Sequence, residues 1–69
     1  MNNRLTIKDW TGKIIGYIET QSNGDKVVKD FYQRILGRYD ESMDVTKDFY
    51  GRIVAKGDQS SMLFSLNNN

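Results

Sequence analysis

Lys47-Asp48-Phe49-Tyr50-Gly51-Arg52-Ile53-Val54-Ala55-Lys56-Gly57-Asp58 is the third occurrence of one pattern. The second is Lys29-Asp30-Phe31-Tyr32-Gln33-Arg34-Ile35-Leu36-Gly37-Arg38-Tyr39-Asp40. The first is Lys8-Asp9-Trp10-Thr11-Gly12-Lys13-Ile14-Ile15-Gly16-Tyr17-Ile18-Glu19. Each copy puts an Asp at the first position of a tight turn, where its carboxylate can accept from backbone amides two residues on. In the first and third copies a Gly follows three residues later, able to take the left-handed conformation. A type I turn closed by such a residue gives a three-residue hairpin loop with a bulge. Gln33 stands where the other copies have Gly. A side chain in that conformation costs about 1 kcal/mol, so the middle turn is expected to use a different geometry.

Working outward, Leu5 and Ile7 alternate with Thr6 and Lys8, the period of a half-buried strand. Lys13 to Thr20 returns. Gln21-Ser22-Asn23-Gly24-Asp25 is a strong turn signal, and Lys26 to Asp30, Arg34 to Asp40, Val45 to Asp48 and Arg52 to Lys56 read as further strands. The prediction is an all-β meander of three hairpins, six short antiparallel strands, in one domain over 1–69. Its repeats cover about 5–20, 26–40 and 45–58. Residues 59–66 depart from the repeat and form a cap, either a short helix started by Asp58 or Ser60 or a seventh strand. Residues 1–3 and 67–69 read as polar tails.

Asp9, Asp30 and Asp48 are 21 and 18 residues apart, the difference falling in the connections. That is where repeat proteins tolerate length change. In the return strands Ile14, Ile35 and Ile53 align, and Gly16, Gly37 and Ala55 align two residues later on the same face. Ile15, Leu36 and Val54 fall on the opposite face. Apolar rows on both faces imply that the sheet curls over itself or that one face meets another chain. The small residues leave space for a large group, and the corner aromatics Trp10, Phe31 and Phe49 are expected to fill it. The weaker reading of those aromatics is a groove for an aromatic ligand.

A 69-residue chain has a core that contributes about 3–5 kcal/mol and usually adds a staple. With no Cys and no His, disulfides and the usual zinc sites are excluded. Self-association remains, so a homo-oligomer is expected. No His or Cys also removes most general-base, thiolate and triad chemistry. No glycine-rich phosphate cradle occurs, and Asp40-Glu41-Ser42-Met43-Asp44 lacks the spacing of a calcium loop. No cofactor or metal is expected. The net charge of +1 advertises no polyanion. Met1-Asn2-Asn3-Arg4 does not open a secretory signal, no apolar run reaches the ~18 residues of a membrane span, and a cytoplasmic location is the expectation.

Basic residues recur with the repeat: Lys8, Lys29 and Lys47, then Lys13, Arg34 and Arg52, then Arg38 and Lys56. Stacked hairpins would make ladders of them, and with Tyr17, Tyr32 and Tyr50 such ladders could follow a nucleic-acid backbone. The alternative role of Lys and Arg is to keep strand edges soluble. The interleaved aspartates favour that role.

The Asp-x-x-Gly-[Lys/Arg]-Ile hairpin over 8–19, 29–40 and 47–58 resembles the YD (Rhs-type) and related aromatic-hairpin repeats of bacterial proteins. Those place Tyr before the turn Asp, where this chain has Lys8, Lys29 and Lys47. Related choline-binding hairpins hold a quaternary ammonium between aromatics, which would implicate Trp10, Phe31 and Phe49; their Gly-Trp signature is absent. The resemblance carries architecture and no functional residue. The expected function is a non-catalytic structural or protein-interaction module that self-associates, with nucleic-acid or polyanion binding as the alternative. The residues singled out for binding are Lys8, Lys29, Lys47, Arg34, Arg52, Trp10, Phe31 and Phe49.

Overall fold

A computed structural model describes residues 3–66; the tails at 1–2 and 67–69 lie outside the described residues. The chain forms β1 (Asn3–Lys8), β2 (Ile14–Thr20), β3 (Lys26–Asp30), β4 (Ile35–Asp40), β5 (Val45–Asp48), β6 (Ile53–Lys56) and a short helix, α1 (Met62–Leu66). The strands make one antiparallel sheet in the order β1-β2-β3-β4-β5-β6, the predicted meander. Asn3, read from the sequence as part of a polar tail, belongs to β1. The cap is helix, not a seventh strand.

All three repeat turns share one geometry. The amides of Asp9, Asp30 and Asp48 donate to the carbonyls of Lys13, Arg34 and Arg52, each at 2.9 Å. The amides of Gly12, Gln33 and Gly51 return to Asp9, Asp30 and Asp48, each at 3.0 Å. Gln33 therefore adopts the left-handed conformation, with φ at 70° beside 89° and 83° for Gly12 and Gly51. The expectation of a different middle turn is overturned: the Asp30 clasp and the flanking strands outweigh the local cost of a side chain there.

The register corrects the face assignment. Ile7 pairs with Gly16 but Lys8 pairs with Ile14, leaving Ile15 as an extra residue. The same irregularity leaves Leu36 over in β4 and Val54 over in β6. Such a bulge brings two successive side chains to one side. Ile15, Leu36 and Val54 accordingly pack against the core cluster of Ile18, Val28, Leu63 and Phe64, on the face of Gly16 and Gly37. Ile14, Ile35 and Ile53 lie outside that cluster, and Ile53 is largely exposed. Strict alternation had predicted the reverse pairing.

The core is completed by the C-terminal segment. Gly57 turns the chain off β6. The Thr46 hydroxyl then donates to the Gly57 carbonyl at 2.8 Å and accepts from the Gln59 amide at 2.9 Å. Asp58 accepts from Lys26 Nζ and from the Ser60 amide and hydroxyl. α1 is thereby laid across the sheet, with Leu63 over Gly37 and Phe64 over Gly16. The space beside the small residues is filled by this helix and not by Trp10, Phe31 or Phe49, all of which are exposed. The sheet needs neither to curl on itself nor to borrow another chain to cover this face.

Candidate functional site

The three corners of the repeat lie at one end of the sheet, on alternate connections of the meander. They are not level. Asp30 pairs across to Gly16, which in turn faces Ile7, two residues inboard of Asp9. Asp48 pairs across to Gly37, which faces Val28, two residues inboard of Asp30. Each hairpin is thus set back from the last by two residues, about 7 Å at ~3.3 Å per residue, while neighbouring hairpins stand about 10 Å apart across two strands. The corners form a staircase of equal steps.

Two of the steps are built alike. At the second, Asp30 Oδ1 accepts from the amides of Tyr32 and Arg34 at 2.8 and 2.9 Å, and Oδ2 accepts from Arg34 Nε at 2.7 Å. Arg34 lies over the Tyr32 ring at 5.2 Å, and Tyr32 meets Phe31 edge-on, with centroids 5.5 Å apart. The third repeats this with Asp48, Arg52, Tyr50 and Phe49: 2.9, 2.9 and 2.7 Å to the carboxylate, 5.4 Å to the ring, 5.3 Å between rings. In the first, the Thr11 hydroxyl donates to Asp9 Oδ1 at 2.6 Å in place of the arginine.

The aspartates are the structural clasps of their turns. The Thr11 hydroxyl, with the amides of Lys13 and Thr11, holds the Asp9 carboxyl below the usual range. Burial pushes Asp30 and Asp48 up, but the amides and guanidinium groups of Arg34 and Arg52 more than reverse it, leaving both lowered. Such carboxylates are poor general acids or bases near neutral pH. Among the described residues no group of His, Cys, Asp or Glu is arranged to hold a metal ion.

The residues singled out in the sequence divide between two places. Trp10, Phe31, Phe49, Arg34 and Arg52 gather on the staircase. Lys8, Lys29 and Lys47 alternate with the helix-covered positions and so occupy the other face. Their ladder is oblique: Lys29 pairs across to Tyr17 and Thr6, and Lys47 to Arg38 and Val27. Lys29 reaches Glu19 at 3.1 Å, and Lys47 reaches Asp40 at 3.5 Å. Arg4 also pairs with Glu19 at 3.8 Å and covers the Tyr17 ring at 3.8 Å. That face mixes ion pairs with apolar residues: Val27 is buried there, and Ile14, Ile35 and Ile53 pair across to Lys8, Lys29 and Lys47.

What the staircase leaves uncovered is mainly aromatic, with the Arg34 and Arg52 side chains exposed beside the rings. Trp10, Phe31, Tyr32, Phe49 and Tyr50 are between 53% and 96% exposed. Four of these rings border an open groove of about 1060 Å³, shared with Ile14, Ile15, Ile35, Leu36 and Phe64. The Phe-Tyr pairing was missed in the sequence, although the repeated Asp-Phe-Tyr at 30–32 and 48–50 signals it. In comparisons with family models, with curated proteins and with solved structures, nothing matches the chain. No described helix is long and apolar enough to cross a membrane.

Proposed function

We propose that this protein is a non-catalytic interaction module that works by self-association. The observation carrying this is the row of exposed aromatic rings at one end of a small sheet. Exposed large apolar patches mark contact surfaces far more often than chance, and Tyr, Trp and Phe are enriched at the centres of protein interfaces. A chain with so small a core also gains stability from a partner that binds only its folded form.

The alternative, polyanion binding, requires cations free to meet phosphates. Lys29, Lys47, Arg34 and Arg52 each already face a carboxylate, so a phosphate would have to compete with Glu19, Asp40, Asp30 and Asp48. That favours the interaction reading.

Sedimentation equilibrium over a wide concentration range tests it. Mass above that of one chain, rising with concentration, is the expected result. A single-chain mass throughout, with retention on heparin that survives moderate salt, would replace self-association by the alternative.

A further inference from the structure

We infer that the staircase of aromatic corners is the surface through which the chain meets a second copy of itself, the two copies related by a twofold axis. This deepens the self-association proposed above and rests on it.

Three observations commit the groove to that occupant. The first is shape. The set-back from Asp9 to Asp30 equals that from Asp30 to Asp48, because the pairing of Asp30 with Gly16 recurs as Asp48 with Gly37. A flight of equal steps is its own complement when turned through half a revolution. The corner of one copy then enters the recess of the other, as an isologous interface requires.

The second is charge. Corner cations are clasped by corner carboxylates, Arg34 by Asp30 and Arg52 by Asp48, each at 2.7 Å. The surface is close to neutral step by step. At the first step Asp9 is held by the Thr11 hydroxyl with the Lys13 charge nearby, so a second copy meets no excess of one sign there either.

The third is area. Aromatic side chains bury ~150–250 Å² each. Five of them, at their present exposure, together with the apolar residues of the groove, supply on the order of the ~800 Å² per partner of a stable interface.

Trp10 is the only tryptophan and, at 96% exposure, reports on the first corner of the staircase, outside the lining of the groove itself. The test follows Trp10 emission and sedimentation equilibrium together for the wild-type chain, for Phe49→Ser/Tyr50→Ser, and for Arg38→Ala on the opposite face. Far-UV circular dichroism verifies that the variants fold; Trp10→Ser provides a second corner variant read by mass alone. Expected is association of the wild type with a blue shift of Trp10, weakened by about tenfold or more in the corner variants and unchanged in Arg38→Ala. Association that persists in both corner variants, or proceeds with Trp10 still wet, overturns the corner assignment and leaves self-association standing. A wild type that stays a single chain at all concentrations overturns both.

Discussion

Gly16 lies directly beneath the Phe64 ring. A Cβ there would run into the ring and into the Lys29 carbonyl at once. Gly37 stands in the same relation to Leu63, whose methyl carbons would lie 2.8 and 3.0 Å from an added Cβ, with the Lys47 carbonyl close by. The repeat therefore provides two empty notches, and the non-repeating tail supplies the two side chains that fill them. Because a backbone carbonyl forms one wall of each notch, the tail cannot relieve the clash by moving alone. Gly16→Val and Gly37→Val are each expected to destabilise by about 1–3 kcal/mol or more from overpacking, read as a lowered denaturation midpoint. Wild-type melting in both would refute this seating of the helix.

Gln33 presents the opposite case, a side chain where the fold prefers none. Its φ of 70° and its exposed position mean that replacement by Gly removes local strain without removing packing. The gain is offset in part by the greater freedom of Gly in the unfolded chain. Gln33→Gly is expected to stabilise by about 0.5–1 kcal/mol. Gly51→Gln, at the equivalent turn, should cost a similar amount. Thermal melts of the pair check both signs, and equal melting of the three proteins would remove the argument.

The hairpin order, the turn positions and the role of the three aspartates were legible in the sequence, because each rests on local chemistry. Asp needs only its own loop amides, and alternation needs only neighbours. The face of Ile15, Leu36 and Val54 was not legible, since the bulge that turns them appears only when a strand is paired with its partner. Nor was the occupant of the Gly16 and Gly37 notches. The small residues showed that something large sits there, yet the nearest aromatics in sequence are the corner rings, and Leu63 and Phe64 arrive from more than 25 residues away. The staircase was hidden for the same reason: aligned repeats look level until their strand register is known.

Acid should weaken the protein through its clasps. Asp9, Asp30, Asp40, Asp48 and Asp58 all have carboxyls lowered in the folded state. A lowered folded pKa contributes stability that is complete above the unfolded carboxylate range, about pH 4–5, and is lost as pH falls through the folded values. The melting temperature is expected to hold from neutrality down to that range and then to fall steeply. Asp30→Asn/Asp48→Asn should melt lower at neutral pH and show a shallower acid slope. An unchanged slope would mean that these carboxylates do not titrate with folding.

Tyr39 predicts a loss at the other end of the scale. Its hydroxyl donates to Asp44 Oδ1 at 2.6 Å, and this bond, with burial and the Asp44 charge, pushes its pKa up to about 12. For a raised acid the contribution is complete below the unfolded value of about 10 and disappears as pH rises through the folded one. Stability should decline between those two values in the wild type. Tyr39→Phe should lose that decline and melt lower at pH 7, because Asp44 is left without its donor. Matching alkaline profiles for the two proteins would assign the decline elsewhere.

The heaviest single loss is expected at Leu63, which is fully buried and is held over the Gly37 notch by a helix of five residues. So short a helix has no independent stability; it persists because Thr46, Asp58 and Ser60 anchor its entry and because Leu63 and Phe64 reach the core. Leu63→Ala should cost about 2–5 kcal/mol, comparable with the whole net stability of about 3–5 kcal/mol available to a domain this size. The variant is therefore expected to be largely unfolded at room temperature as a single chain, seen as lost strand signal in circular dichroism. Ser65→Ala, on the exposed side of the same helix, should change little. If Leu63→Ala instead melts within a few degrees of the wild type, the sheet holds its fold without the helix, and α1 is an accessory to the core.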